Sequence, residues 1–264
     1  MTAYSTLLIS YNGSRATVTF NRPDIHNAFN SSMIDELAAA FREIETHNQI
    51  RLVVLTGAGK SFCAGADLNW MRAVKEAPYE VNLAESNRLA DLFWQMYSFP
   101  IPIIARVNGA AIGGGTGFVA VCDIAIAARS AKFSFSEVKI GVVPACIGPY
   151  VIRKLGEGKA RELFITGERM GADRAASVGL VNAVVEDLAL DAAIDELAGQ
   201  IESSGPHAIT MAKKLVSAVP AMSPEEFRPY TAEMIAKLRQ SPEGQEGMDA
   251  FLNKRTPSWV PKRS

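Results

Sequence analysis

The chain has 264 residues, 48% of them hydrophobic, and a formal net charge of -1 from 27 Lys and Arg against 28 Asp and Glu. That is enough chain to bury a large core as one or two domains. The balanced charge, without long single-sign blocks, speaks against nucleic acid and acidic membrane as partners, and no apolar run reaches the roughly 20 residues of a membrane span.

From Met1 to Phe20, Leu8-Ser10 and Ala16-Val18-Phe20 alternate around Asn12-Gly13, which predicts a strand hairpin. No charged segment followed by an apolar core precedes it, so this start reads as structure rather than a signal peptide, and a cytoplasmic location is expected. Ser31 or Ser32 is expected to cap a helix whose Leu37, Phe41 and Ile44 share one face. A buried strand at Leu52 to Leu55 follows, then a long helix near Tyr79 to Tyr97 and a buried strand from Ile103 to Val107. A glycine-led helix through Phe118 to Val121 and a strand from Ile124 to Ala127 complete an α/β order. Beyond about residue 185 only helical spacing remains, over Leu188 to Ile201, His207 to Ala218, Glu225 to Leu238 and Glu243 to Leu252, with Pro220 and Pro242 as punctuation. The expected organisation is therefore an α/β core over 1–185 and a helical region over 186–264.

Cys63, Cys122 and Cys146 are too few and too scattered for a disulfide framework or a thiolate cluster, and His26, His47 and His207 form no metal-binding pair. No metal is expected, and carboxylates or the main chain must carry any chemistry. Two small-residue loops stand out. Asn108-Gly109 through Gly113-Gly114-Gly115-Thr116-Gly117 lies between a strand and a helix, where unpaired N–H groups and a helix N-terminus stabilise an anion. It lacks the Gly-Lys-Ser/Thr ending of a phosphate loop and the glycine spacing of a dinucleotide fingerprint. A tight turn with close helix packing is the bland alternative. Gly57 to Leu68 is a second such loop after a buried strand. Two loops of this kind can converge on one oxygen, although sequence alone does not bring them together.

Four motifs supply that link: Asn21-Arg22-Pro23 with Asn27-Ala28; Phe62-Cys63-Ala64-Gly65-Ala66-Asp67-Leu68; Asn108-Gly109 with Gly113-Gly114-Gly115; and Cys122-Asp123-Ile124. In this order they resemble the crotonase, or enoyl-CoA hydratase/isomerase, superfamily over nearly the whole chain. The resemblance implies a spiral of ββα turns, a helical carboxy-terminal region used in trimerisation, and a homotrimer or hexamer. It also implies acyl-CoA thioesters as ligands, with CoA part of the substrate and no separate cofactor. Its oxyanion hole falls on the backbone N–H groups of Ala66 and Gly114, and Ala64, Asp67, Leu68, Asn69 and His26 are matched to substrate or CoA binding. Asp67 has a second, loop-organising reading. Arg22 and Lys60 lie near the matched motifs, Trp70, Met71 and Tyr150 are candidates for the acyl pocket, and Ser136, Thr116 and Cys146 for holding water.

Glu137, in Phe133-Ser134-Phe135-Ser136-Glu137-Val138, matches a family catalytic glutamate; a carboxyl between apolar neighbours has its pKa raised, as proton exchange requires. On its own it also reads as a solvated residue at a strand end. The second glutamate of the best-known hydratases is replaced by Gly117, so their two-carboxylate scheme does not transfer. Cys63 to Met71, Gly117 and Val143 to Val151 are similar to bacterial methylglutaconyl-CoA hydratases of leucine breakdown, a pattern shared by isohexenylglutaconyl-CoA hydratases. The expected activity is hydration or dehydration of 3-methylglutaconyl-CoA through an enolate. A single-glutamate isomerase, an isohexenylglutaconyl-CoA hydratase and a non-catalytic acyl-CoA-binding protein remain as alternatives.

Overall fold

The computed structural model describes residues 4–260, so Met1 to Ala3 of the amino-terminal segment and the last four residues of the helical region lie outside it. Within it the chain forms two compact units, one made of residues up to Phe99 with Ile103–Asp195, the other of Pro100–Pro102 with residues from Glu196 onward.

The first unit opens with strands β1 (Leu7–Asn12) and β2 (Arg15–Phe20), antiparallel in the register Leu7 with Phe20, and the turn between them contains Gly13 at φ +57°. Helix α1 (Ser31–Glu45) follows, with Leu37, Phe41 and Ile44 fully buried on one face. Its cap is not Ser31 or Ser32. The Asn30 side chain accepts from Met33 N–H at 3.0 Å, while the Ser31 hydroxyl donates 2.6 Å to Glu85 on a later helix, a partner outside local sequence reach.

The chain then repeats one move. β3 (Leu52–Gly57), β4 (Ser61–Cys63) and helices α2 (Leu68–Glu76) and α3 (Tyr79–Tyr97) make the first turn. β5 (Ile103–Val107), β6 (Ala110–Ile112) and α4 (Gly114–Val121) make the second. β7 (Ile124–Ala128), β8 (Lys132–Ser134), a 3₁₀ turn at Glu137–Ile140, α5 (Gly148–Leu155) and α6 (Glu157–Thr166) make the third. β9 (Arg169–Gly171), α7 (Ala172–Ser177) and β10 (Ala183–Val185) finish the unit's strands. The first strand of each turn enters one sheet, of order β1-β2-β3-β5-β7-β10, and the second enters another, of order β4-β6-β8-β9. This is the expected ββα spiral. β3 and β5 are apolar along nearly their whole length because a parallel strand covered on both faces has no solvent side to alternate toward.

The second unit is helical. α8 (Leu190–Ser203) runs into it, and α9 (Pro206–Ala218), α10 (Pro224–Gln240) and α11 (Pro242–Leu252) each begin with a proline, whose missing N–H costs nothing at a helix start. Thr210 and Lys213 on α9 donate to the carbonyls of Pro100 and Ile101 at 3.1 Å each. Among the described residues no helix is long and apolar enough to cross a membrane.

Candidate active site

Strands β4, β6 and β8 lie side by side and parallel, Cys63 paired with Ala111 and Ile112 with Ser134. Ala66, Gly114 and Glu137 each follow the end of one of these strands by two or three residues. Three positions far apart in the chain are thereby delivered to one edge, the carboxyl ends of neighbouring parallel strands, where open α/β sheets present their ligand crevices.

Ala66 forms an isolated parallel bridge with Phe29: Phe29 N–H donates to Gly65 O and Asp67 N–H donates to Phe29 O, both at 2.8 Å. The bridge uses the groups flanking Ala66 and turns its own N–H away from Phe29, with no acceptor among the described residues. Gly114 opens α4, and its N–H is likewise unpaired, as expected of a first helical residue. The residue before it, Gly113, sits at φ +53°, a conformation that favours glycine, and its N–H is fixed to Ser134 O at 2.8 Å. Gly115 sets the distance between the two loops, since a Cβ there would stand 2.1 Å from the Cys63 carbonyl oxygen. The two small-residue loops therefore converge.

Glu137 heads the 3₁₀ turn after β8, and its main-chain carbonyl accepts from Val142 N–H at 3.2 Å. Its carboxyl lies over the glycine loop: Oε1 is 3.2 Å and Cδ 3.6 Å from where a Cβ on Gly113 would be. Oε2 is buried, with no hydrogen-bond partner among the described residues. Burial pushes the Glu137 carboxyl above the ordinary carboxylate range, only partly offset by its own backbone N–H. A carboxyl in that state can take up and release a proton on carbon or water.

Gly117 faces an apolar wall. A Cβ there would lie 2.2 Å from Ile147 Cγ2 and 3.2 Å from Phe93 Cζ, and the Tyr150 ring stands beyond, 6.3 Å from that of Phe93. No carboxylate fits behind α4 without moving Ile147. Thr116, buried, has its hydroxyl 2.6 Å from Ala111 O and 3.0 Å from Ser134 O, so it ties α4 to β6 and β8. Cys146 contacts Ser86 O at 3.7 Å, and burial raises its thiol pKa. Burial pushes the Cys63 thiol up to about 12, which leaves it an inert core residue.

The remaining matched residues form a rim beside Ala66. His26 is exposed, its ring nitrogen Nδ1 3.0 Å from Ser61 Oγ and its carbonyl accepting from Ala64 N–H at 3.0 Å. Asp67 caps α2 by accepting from Asn69 N–H at 2.8 Å and pairs with Arg22 at 2.8 Å. Burial opposes its ionisation, but these N–H donors and the Arg22 guanidinium hold its pKa below the ordinary value. Its loop-organising reading is thus visible as contacts. The side chains of Leu68 and Asn69 point to solvent, and Lys60 is exposed. Asn27, fully buried, anchors the Gly57 to Leu68 loop by donating 2.8 Å to Ala58 O and Ser61 O. Among the described residues no group of three His, Cys, Asp or Glu is placed to hold a metal.

Two residues that sequence reasoning did not single out support this arrangement. Lys154, on α5, donates 2.6 Å to Cys122 O and reaches Ala120 O and Val119 O at 3.4 and 3.5 Å, closing the far end of α4. Phe29 lies between the two loops; only its place after Asn27-Ala28 hinted at a role.

Comparison with known proteins follows the same lines. The family model for enoyl-CoA hydratase/isomerase matches residues 11–262. The chain is 34% identical over 255 residues to the short-chain-enoyl-CoA hydratase of Clostridium acetobutylicum, covering 94% of this chain and 95% of that protein. It is 31% identical over 257 residues to the 2,3-dehydroadipyl-CoA hydratase of Escherichia coli, covering 97% and 98%. The crystal structure of an enoyl-CoA hydratase from Shewanella pealeana superposes with a TM-score of 0.93 at 39% identity, over 96% of each chain.

Proposed function

This chain belongs to the enoyl-CoA hydratase/isomerase family, and from that premise we propose that it hydrates the α,β double bond of a branched dicarboxylic enoyl-CoA, 3-methylglutaconyl-CoA, with Glu137 as its one acid/base group. The observation that carries the reading is the half-buried Glu137 carboxyl, its Oε2 buried and unpartnered among the described residues, lying over the loop that presents the Gly114 N–H. The thioester carbonyl oxygen sits between the N–H groups of Ala66 and Gly114. Water adds to the β-carbon while the Glu137 carboxylate accepts one of its protons. The double-bond electrons move onto the thioester oxygen as an enolate, which the two N–H groups stabilise, each by about 3 to 4 kcal/mol in comparable sites. Protonated Glu137 then delivers its proton to the α-carbon, so one water is added and the carboxylate is restored.

The substrate assignment rests on the resemblance over Cys63 to Met71 and Val143 to Val151, and on Gly117 with its apolar wall. A pocket that must accept a substrate carboxylate is less repulsive to it with one enzyme carboxylate than with two. The Escherichia coli relative, named for an acyl group derived from a dicarboxylic acid, supports the same class. The missing water-holding carboxylate also favours a second reading, an isomerase in which Glu137 moves one proton between allylic carbons. In either case the exposed Phe251 and Leu252 of α11, 83% and 77% accessible, support assembly of the helical unit with further copies as a trimer or hexamer.

The test offers 3-methylglutaconyl-CoA, crotonyl-CoA and 3-hexenoyl-CoA to wild type and Glu137→Gln, followed by mass and ultraviolet absorbance. Preferred hydration of the branched substrate, reduced about 10²- to 10⁴-fold in the variant, is expected. Far faster crotonyl-CoA hydration would overturn the substrate; movement of the double bond without water gain would make it an isomerase; tight binding without turnover would leave an acyl-CoA-binding protein.

A further inference from the structure

We propose that Phe29 is the spacer of the oxyanion hole, a positioning residue that sets the separation of the Ala66 and Gly114 N–H groups; this rests on the reading of those groups as the oxyanion donors. One residue touches both halves. Its main chain brackets Ala66 through the 2.8 Å bonds to Gly65 O and from Asp67 N–H, which fixes where the Ala66 N–H points. Its ring lies directly against Gly114: a Cβ there would be 2.7 Å from Phe29 Cε1 and 2.8 Å from Cζ.

The ring is itself held. It packs edge-on against Phe118 of α4, centroids 5.7 Å apart, and tilted against Trp70 of α2 at 5.6 Å. The Trp70 indole donates 3.2 Å to Glu85, which also accepts from Ser31 at 2.6 Å and pairs with Arg88 at 2.5 Å. Phe29 is buried to 3% exposure, so the ring has no room to swing away. α4 is thereby pressed to a fixed distance from the bridge that holds Ala66.

Glycine at position 114 is then required by the ring and not by the backbone. Gly114 is not among the glycines with positive φ, and any residue other than proline would keep its N–H donor. An alanine there keeps the donor but wedges α4 away from Phe29. Pre-organised donors lose their effect steeply with displacement, and a misplacement of about 1 Å costs on the order of 10²-fold in rate.

The experiment measures kcat, KM and the infrared carbonyl stretch of a bound, carbonyl-labelled enoyl-CoA, which reports the polarisation of that oxygen directly. Gly114→Ala is expected to lose about 100-fold in kcat and most of the carbonyl shift, with KM changed far less. Phe29→Leu, which shortens the side chain while keeping the main-chain bridge, is expected to lose part of both. Phe29→Leu/Gly114→Ala is expected to regain shift and rate relative to Gly114→Ala, because the added methyl occupies space the ring has vacated. Full carbonyl shift in Gly114→Ala, or no recovery in a folded double variant, would overturn the spacer role. Absence of the shift in wild type would instead overturn the oxyanion assignment beneath it, and a drop in melting temperature without a change in shift or kcat would reduce Phe29 to a core residue.

Discussion

Replacing Lys154 by Met keeps the length of the side chain and removes the ammonium that closes α4, so it tests whether the far end of this helix supports the donor at its start. The main loss is the 2.6 Å bond to Cys122 O; the contacts to Ala120 O and Val119 O, at 3.4 and 3.5 Å, are at the edge of hydrogen-bonding range and add little. A hydrogen bond from a charged donor contributes about 1.5–3 kcal/mol, which for a chain of this size corresponds to a fall of about 3–12 °C in melting temperature. The sign of the pH dependence follows from the lysine itself. Burial lowers its pKa below the ordinary 10.5, partly offset by Cys122 and Asp123. The folded state then binds fewer protons than the unfolded state between those two values, and the wild type gains stability as pH rises through the folded pKa toward 10.5. The neutral amine still donates, so the gap between wild type and Lys154→Met should widen over that range. Denaturant titration at pH 7.5 and at pH 9.5, with kcat alongside, measures both. A variant within about 0.5 kcal/mol of wild type at both pH values, the range of an ordinary surface substitution, would refute the claim that this lysine secures the helix.

Gly117→Ala should destabilise despite placing a better helix former in α4. Overpacking against Ile147 costs about 1–3 kcal/mol, against a propensity gain of about 1 kcal/mol. Ile147→Ala, itself destabilising at a buried position, should remove the overpacking, so that Gly117→Ala is neutral or stabilising in that background; the same effect of Gly117→Ala in both backgrounds would contradict the apolar wall. The proposed hydration uses Glu137 as the carboxylate, so the acid limb of kcat/KM should lie above the ordinary 4.5 and vanish from whatever activity Glu137→Gln retains. Its folded pKa is raised, so stability is full below 4.5 and is lost as pH rises through the folded value. Glu137→Gln should therefore be more stable than wild type at pH 8 and not below pH 4; equal melting curves at pH 8 would mean that the carboxylate is solvated.

The long elements were legible because their patterns are long. α3 and β5 occupy Tyr79–Tyr97 and Ile103–Val107 as read, since nineteen residues of helical spacing and a β-branched run leave little choice. The strands that assemble the site were not legible: β4, β6 and β8 have three residues each, too few for any periodicity. Asn30 displaced Ser31 as the cap because Ser31 had a better acceptor in Glu85, 54 positions away. The same holds at the site. Gly113 and Gly115 announce a backbone that approaches something closely, but that their neighbours are Glu137 and the Cys63 carbonyl depends on strand pairing. Phe29 and Lys154 are ordinary residues until the elements they join are placed together.

The surroundings of the two matched carboxylates support the proposed assignment of the chemistry to Glu137. Asp67 lies against the Arg22 guanidinium and accepts backbone N–H bonds, so although burial opposes its charge it is held ionised. A group in that state makes a fixed loop clamp and a poor proton carrier. Glu137 has the reverse surroundings: among the described residues no cation pairs with it and Oε2 has no donor, and burial raises its pKa. Where environments push two carboxyl groups apart in this way, the one pushed up is the acid/base and the one pushed down the electrostatic or structural partner. A single such group suffices only if it returns the proton it takes, and a carboxylate locked to an arginine would not protonate at all. On the proposed mechanism, with Gly117 in place of a second water-holding carboxylate, Glu137 and the substrate would orient the nucleophile. Turnover should then depend on the acyl group more strongly than in a two-glutamate site.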